Sequence, residues 1–190
     1  MAPTDGLRLR LRDVAPATSG RLTESEFLLA GTAAGALGWG GTQALAWLDP
    51  PNAALAATAL WVVLVGAFAG TTVLHGPDAV RFSDAMFVWG AVNGTATGLT
   101  LAGLAGLVPA SIAFWHVWAG AAAVGYCWTG GLLEGAGDAE RGRTYLTSGA
   151  VALAVLLVGS VRFSLVEPVA FLLLGLLHVA PLALDARRLS

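Results

Sequence analysis

The sequence predicts an all-α, polytopic integral membrane protein, a bundle of six transmembrane helices with N- and C-termini cytoplasmic. Three observations carry this expectation. Of 190 residues, 56% are hydrophobic and 12% charged, and the mean hydropathy is +0.73; a soluble domain carries about a quarter charged residues, whereas lipid-facing surface excludes charge because charge there costs free energy. The apolar residues fall into six segments of about the length that crosses a bilayer, each bounded by breakers. Finally, the arginines sort to one side of such a bundle.

In chain order, residues 1–24 read as an Arg-rich cytoplasmic tail, with no apolar stretch that would make it a cleaved signal peptide. The transmembrane domain is expected over 25–186. The first span, 27–48, is closed by Asp49-Pro50-Pro51-Asn52. The second, 53–74, is closed by His75-Gly76-Pro77-Asp78. The third covers 84–108, and Pro109 forces a turn into the fourth, 109–133. A polar loop over 134–143 leads to the fifth, 145–161. The sixth, 166–184, places Pro168 in its first turn, where a missing N–H costs nothing. Residues 187–190 form the cytoplasmic C-terminus. Ser25-Glu26 and Ser83-Asp84 read as helix starts, a capping hydroxyl followed by an acid at the positive end of the helix dipole.

With six spans, Arg8, Arg10, Arg12, Arg21, Arg81, Arg141, Arg143, Arg187 and Arg188 share one side, and Arg162 alone falls on the other. The positive-inside rule makes the shared side cytoplasmic and the first helix an uncleaved insertion signal, giving a multi-pass plasma-membrane protein. Every basic residue is arginine, which fits a GC-rich genome and a halophilic source. One cysteine, Cys127, excludes an intrachain disulfide.

Helices in lipid associate where small residues let backbones approach. Gly90, Gly94 and Gly98 in the third span and Gly120, Cys127 and Gly131 in the fourth stand at helical spacing. These faces are expected to form a tight contact between the two helices. Trp47 and Trp115 fit the interfacial aromatic belt.

Polar groups within spans are the candidate functional residues, because the membrane makes them costly. Counting turns along one continuous sixth helix, Glu167, His178 and Asp185 share a face. Joined with Gln43 and His116 at the outer end and Asn93 and Thr97 in the middle, they read as a substrate path. Glu167 beside His116 would give the outer site its chemistry. The expected function is a small channel or transporter for a polar solute, ion or proton. The alternative is a non-catalytic subunit or scaffold of a larger membrane complex. A minor alternative is a b-type haem between His116 and His178, although helix rise separates their depths by about 7–8 Å. No Gly-x-Ser-x-Gly or phosphate loop occurs, so no enzyme, catalytic residue, cofactor or metal is expected. Membrane lipids and a homo-oligomer or membrane-complex partners are expected, and nucleic acid is not.

Overall fold

The computed structural model describes residues 21–190, so the tail expected over 1–24 lies mostly outside the described residues. The described chain is all α, with no strand among these residues. Its elements are α1 (Glu24–Leu48), α2 (Ala53–His75), the short α3 (Asp78–Arg81), α4 (Asp84–Leu104), a π-helical segment (Ile112–His116), α5 (Val117–Gly135), α6 (Ala139–Val161), the short α7 (Phe163–Val166), a 3-10 turn (Glu167–Val169) and α8 (Ala170–Leu189). Three helical stretches are long and apolar enough to cross a membrane: Ala53–His75, Ala139–Val161 and Phe163–Leu189. By contrast, α1, α4 and α5 are rich in Gly, Ala and Thr with embedded Trp, residues that fill interhelical space rather than raise hydropathy.

The helix boundaries follow local chemistry. At the start of α1, Thr23, not Ser25, is the cap; its hydroxyl accepts from the Glu26 N–H while the Glu26 carboxylate accepts from the Thr23 N–H, a complete capping box. Ser25 instead donates to the Ala186 carbonyl of α8 at 2.9 Å. Ser83 caps α4 through the Met86 N–H, as its sequence suggested. The third helix stops at Leu104, short of the expected 108. Gly106 takes φ +74°, and the Leu107 N–H returns to the Ala102 carbonyl, closing the helix end with a left-handed residue. Gly137, at φ +91°, ends α5 the same way. The polar loop expected over 134–143 is therefore a correction: only a tight turn remains, because the Asp138 carboxylate caps α6 through the Arg141 N–H and starts that helix at Ala139.

Packing runs α2–α1–α8 on one flank and α4–α5–α6 on the other, with α6 and α5 touching α8. The α5–α6 pair, joined by the tight turn, is the most intimate. A methyl on Gly130 would meet the Gly142 carbonyl at 2.8 Å, and one on Gly149 would meet Cys127 Sγ at 2.5 Å and the Ala123 carbonyl at 3.1 Å. These glycines admit the neighbouring backbone. The expected tight contact through Gly90, Gly94 and Gly98 is a second correction, since a Cβ at any of the three would meet nothing within 4 Å. The same is true of Gly131, while Gly120 only reaches Leu156 at 3.9 Å. Helices α4 and α5 do pack, but through other residues: Trp89 lies over Gly125, and Ala113 fills the space beside Gly103. Of the expected small face, Cys127 is in close contact, and its partner is α6. A heptad of small residues looks the same in sequence whether it faces a helix or lipid; the short α5–α6 connection decided which helix arrived.

Candidate functional site

Aromatic rings fill the middle of the bundle. Trp39 of α1 is 3% exposed and is ringed by Trp61 (4.7 Å between centroids), Trp118 (5.7 Å), Phe171 (6.3 Å) and His178 (5.5 Å). Three of the indole N–H groups in and beside this cluster find a threonine acceptor: Trp61 donates to Thr42 Oγ1, Trp118 to Thr100 Oγ1 and Trp89 to Thr129 Oγ1. A buried Trp needs such a partner, and threonine supplies one without adding charge. The Thr100 hydroxyl in turn donates toward the Ala113 carbonyl inside the π segment at 2.9 Å, with the Ala96 carbonyl also in reach at 3.0 Å.

His178 lies at the edge of this cluster, against Trp39. Its ring is also 6.4 Å from Trp89 and 6.1 Å from Tyr126. Nδ1 lies 2.8 Å from the Leu174 carbonyl one turn back. A carbonyl only accepts, so Nδ1 carries the proton there and, in the neutral ring, Nε2 is left as the acceptor. Among the described residues Nε2 has no hydrogen-bond partner. Pro181 removes the donor that the Leu177 carbonyl would otherwise receive. At the adjacent carbonyl, His178's own, the Tyr126 hydroxyl donates at 2.9 Å.

Below His178 the polar groups become charged. Tyr126 stacks on Tyr145 at 5.8 Å, and the Tyr145 hydroxyl donates to Asp185 at 2.7 Å. Asp185, with no exposed surface, receives Arg141 through two bonds, Nε at 2.6 Å and Nη2 at 2.8 Å. Arg141 also reaches Glu24 at 2.6 Å and Asp138 at 3.7 Å. One guanidinium thereby ties α1, the start of α6 and the end of α8. Asp185, expected from the sequence as a substrate-path residue, is held as a structural anchor here.

The other path residues are dispersed. Gln43, 2% exposed, uses Oε1 to accept from the Phe171 and Leu172 N–H groups at 3.1 and 3.3 Å, so it caps α8 from across the bundle. Its Nε2 and the Trp47 indole both donate to the Pro168 carbonyl. Glu167 is exposed. The 3-10 turn over Glu167–Val169 breaks the register that placed it beneath one face with His178. His116 meets Phe163 at 5.6 Å and Trp115 at 4.9 Å, with no contact to Glu167, and its Nδ1 bonds the Ser111 carbonyl. Asn93 is half-buried and Thr97 exposed; neither side chain forms a hydrogen bond with another described residue. The rings of His116 and His178 share no neighbour, so the structure does not bring that pair together around a haem. Trp115 leaves the expected aromatic belt as well. It is 1% exposed, packs closely against Gly159 and donates to the Ala170 carbonyl. A shallow groove between α4 and α5, bordered by Val92, Thr95, Val117 and Gly120, carries no ionisable group.

No known protein family matches this chain, and neither a curated protein nor a solved structure does. The described residues hold no group of three or more His, Cys, Asp and Glu side chains suited to a metal. Sequence reasoning singled out His178 and Asp185 as path residues and missed Arg141, Tyr145 and Tyr126, which the structure places around them. The signal for Arg141 was its place in a helix-starting Asp-x-x-Arg, which reads as surface until Asp185 arrives from forty-four residues away.

Proposed function

We propose that the chain is a six-span protein of the plasma membrane, cytoplasmic at both ends, that binds and passes a small polar solute or a proton at His178. The observation that carries this reading is the Nε2 acceptor of His178, a half-buried ring set against Trp39, Trp89 and Tyr126, with no hydrogen-bond partner among the described residues. In an apolar setting every polar atom is under pressure to find a partner, and one that stays open is suited to a transient ligand. A free imidazole nitrogen is also an acceptor for a proton in transit. The packed rings of Trp39, Trp61 and Trp118 lie on one side of His178 and the Arg141–Asp185 cluster on the other, an arrangement that favours a gated carrier over an open pore.

Reconstitution into liposomes tests this. Wild-type protein is expected to dissipate a pH or solute gradient, His178→Ala to abolish the flux, and His116→Ala to leave most of it. Undiminished flux in His178→Ala overturns the reading.

A second reading is favoured by one specific observation. Gly90, Gly94 and Gly98 open onto empty space beside an unpaired Asn93, a face suited to another helix. Under this reading the chain is a subunit or scaffold of a homo-oligomer or larger membrane complex. No flux under any gradient, together with a stoichiometric partner, would select it.

A further inference from the structure

We propose that Arg21 and Arg81 form a binding site for the phosphate of an anionic membrane lipid, at the end of the bundle where α2 passes through α3 into α4. The proposal rests on the membrane reading above. Both guanidiniums converge on one carboxylate, Asp78: Arg21 through Nη1, and Arg81 through Nη2 at 2.7 Å. Two cations against one anion leave a positive charge at this point. Asp84 starts the next helix and forms no ion pair with either arginine among the described residues. Arg81 is held in place by the Val73 carbonyl, which accepts from Nη1 at 2.6 Å, and by the Phe82 ring, 4.7 Å from its Cζ. Its Nε is enclosed and unpaired, so its donors outnumber the acceptors around it. The two side chains remain 33% and 21% exposed, which leaves an approach for an anion.

The surroundings identify the anion's source. Phe82, against Arg81, and Val73, whose carbonyl Arg81 holds, are 77% and 63% exposed, and Leu74 and Phe87, close to them in the chain, are 71% and 79% exposed. A cationic pair rimmed by exposed aromatic and aliphatic groups matches a lipid, whose headgroup meets the arginines while its chains cover the apolar rim. A free phosphate would have no use for that rim. Arginine is the side chain suited to this task, since its planar fork matches two phosphate oxygens.

The test uses the full chain in mild detergent, titrated with phosphatidylglycerol or phosphatidylcholine and read by native mass spectrometry. Phosphatidylglycerol is expected to bind more tightly than phosphatidylcholine. Arg21→Gln and Arg81→Gln should each weaken it about fivefold, and Arg143→Gln, which removes the same charge elsewhere, should leave it unchanged. Arg21 precedes the first helix, so its variant remains informative even if Arg81→Gln fails to fold. Equal affinity for the two lipids, equal losses in all three variants, or displacement by inorganic phosphate at the lipid's concentration overturns the proposal. Release of the wild-type chain from membranes by alkaline carbonate would instead bring down the membrane reading. Retention in the membrane with an unaltered lipid affinity in the variants brings down the lipid site alone.

Discussion

Arg141 meets Asp185 edge-on, its Nε and Nη2 lying 2.6 and 2.8 Å from the two carboxylate oxygens. The pair lies at the end of the bundle where α1, α6 and α8 converge. Removing one member of a buried pair leaves an uncompensated charge and costs about 3–5 kcal/mol. Arg141→Gln is therefore expected to lower thermal stability in detergent sharply. The double variant Arg141→Met, Asp185→Leu should recover much of the loss, because an apolar pair of similar size carries no desolvation cost. Equal stability of the single and double variants would show that the charge itself is not what matters.

Gln43 caps α8 from α1, and this predicts a graded series. Gln43→Ala leaves the Phe171 and Leu172 N–H groups without their acceptor and should cost about 1–2 kcal/mol, the scale of a lost helix cap. Gln43→Glu keeps an acceptor there and should lose less. Chemical denaturation at a fixed detergent concentration gives the order. Gln43→Glu ranking below Gln43→Ala would contradict the capping role.

Glycines with the same sequence appearance should respond in opposite ways. A methyl at Gly159 would lie 2.2 Å from the Trp115 ring, so Gly159→Ala forces that ring away from its place over the glycine and from the Ala170 carbonyl. The expected cost is about 1–3 kcal/mol. Gly94→Ala meets open space and should leave monomer stability unchanged. If Gly94→Leu shifts the oligomeric state in a sizing or mass measurement while stability holds, the open face of α4 is the one that assembles.

The arginine cluster around Asp78 gives a pH prediction. The hydrogen bond from Arg21, with the nearby positive charge of Arg21 and Arg81, holds the Asp78 carboxyl below its ordinary pKa. A carboxyl with a depressed folded pKa contributes stability above its unfolded value, near 3.9, and loses it as pH falls through the folded value. Amide exchange in the turn containing Asp78 should rise on acidification below about pH 4, and Asp78→Asn should remove that pH dependence. Persistence of the same acid response in Asp78→Asn would assign it to another group.

Much of the fold was legible because it depends on local rules. Asp49-Pro50-Pro51 and Pro109 interrupt helices wherever they occur, and Ser83 caps α4 with its own neighbours. Where register mattered over distance, counting failed. Glu167 was placed by assuming one continuous helix, and a three-residue 3-10 turn before Ala170 rotated it out to the surface. The polar segment before Tyr145 looked like a loop because Glu140, Arg141 and Arg143 are charged, and a single capping aspartate made it the first turns of α6.

What the sequence determined by itself was the all-helical class, the approximate helix limits and the apolar character of their surfaces, since each is set by composition and by contacts within a few residues. It also marked His178 and Asp185 as groups that must be accommodated inside apolar surroundings. Only the tertiary structure decided what accommodates them. Arg141 and Tyr145 satisfy Asp185 completely, while the rings of Trp39, Trp89 and Tyr126 surround His178 without offering Nε2 a partner. The reason is physical: a buried polar group's role is set by which donor or acceptor the packing of distant helices brings within about 3 Å, and spacing along one helix does not contain that distance.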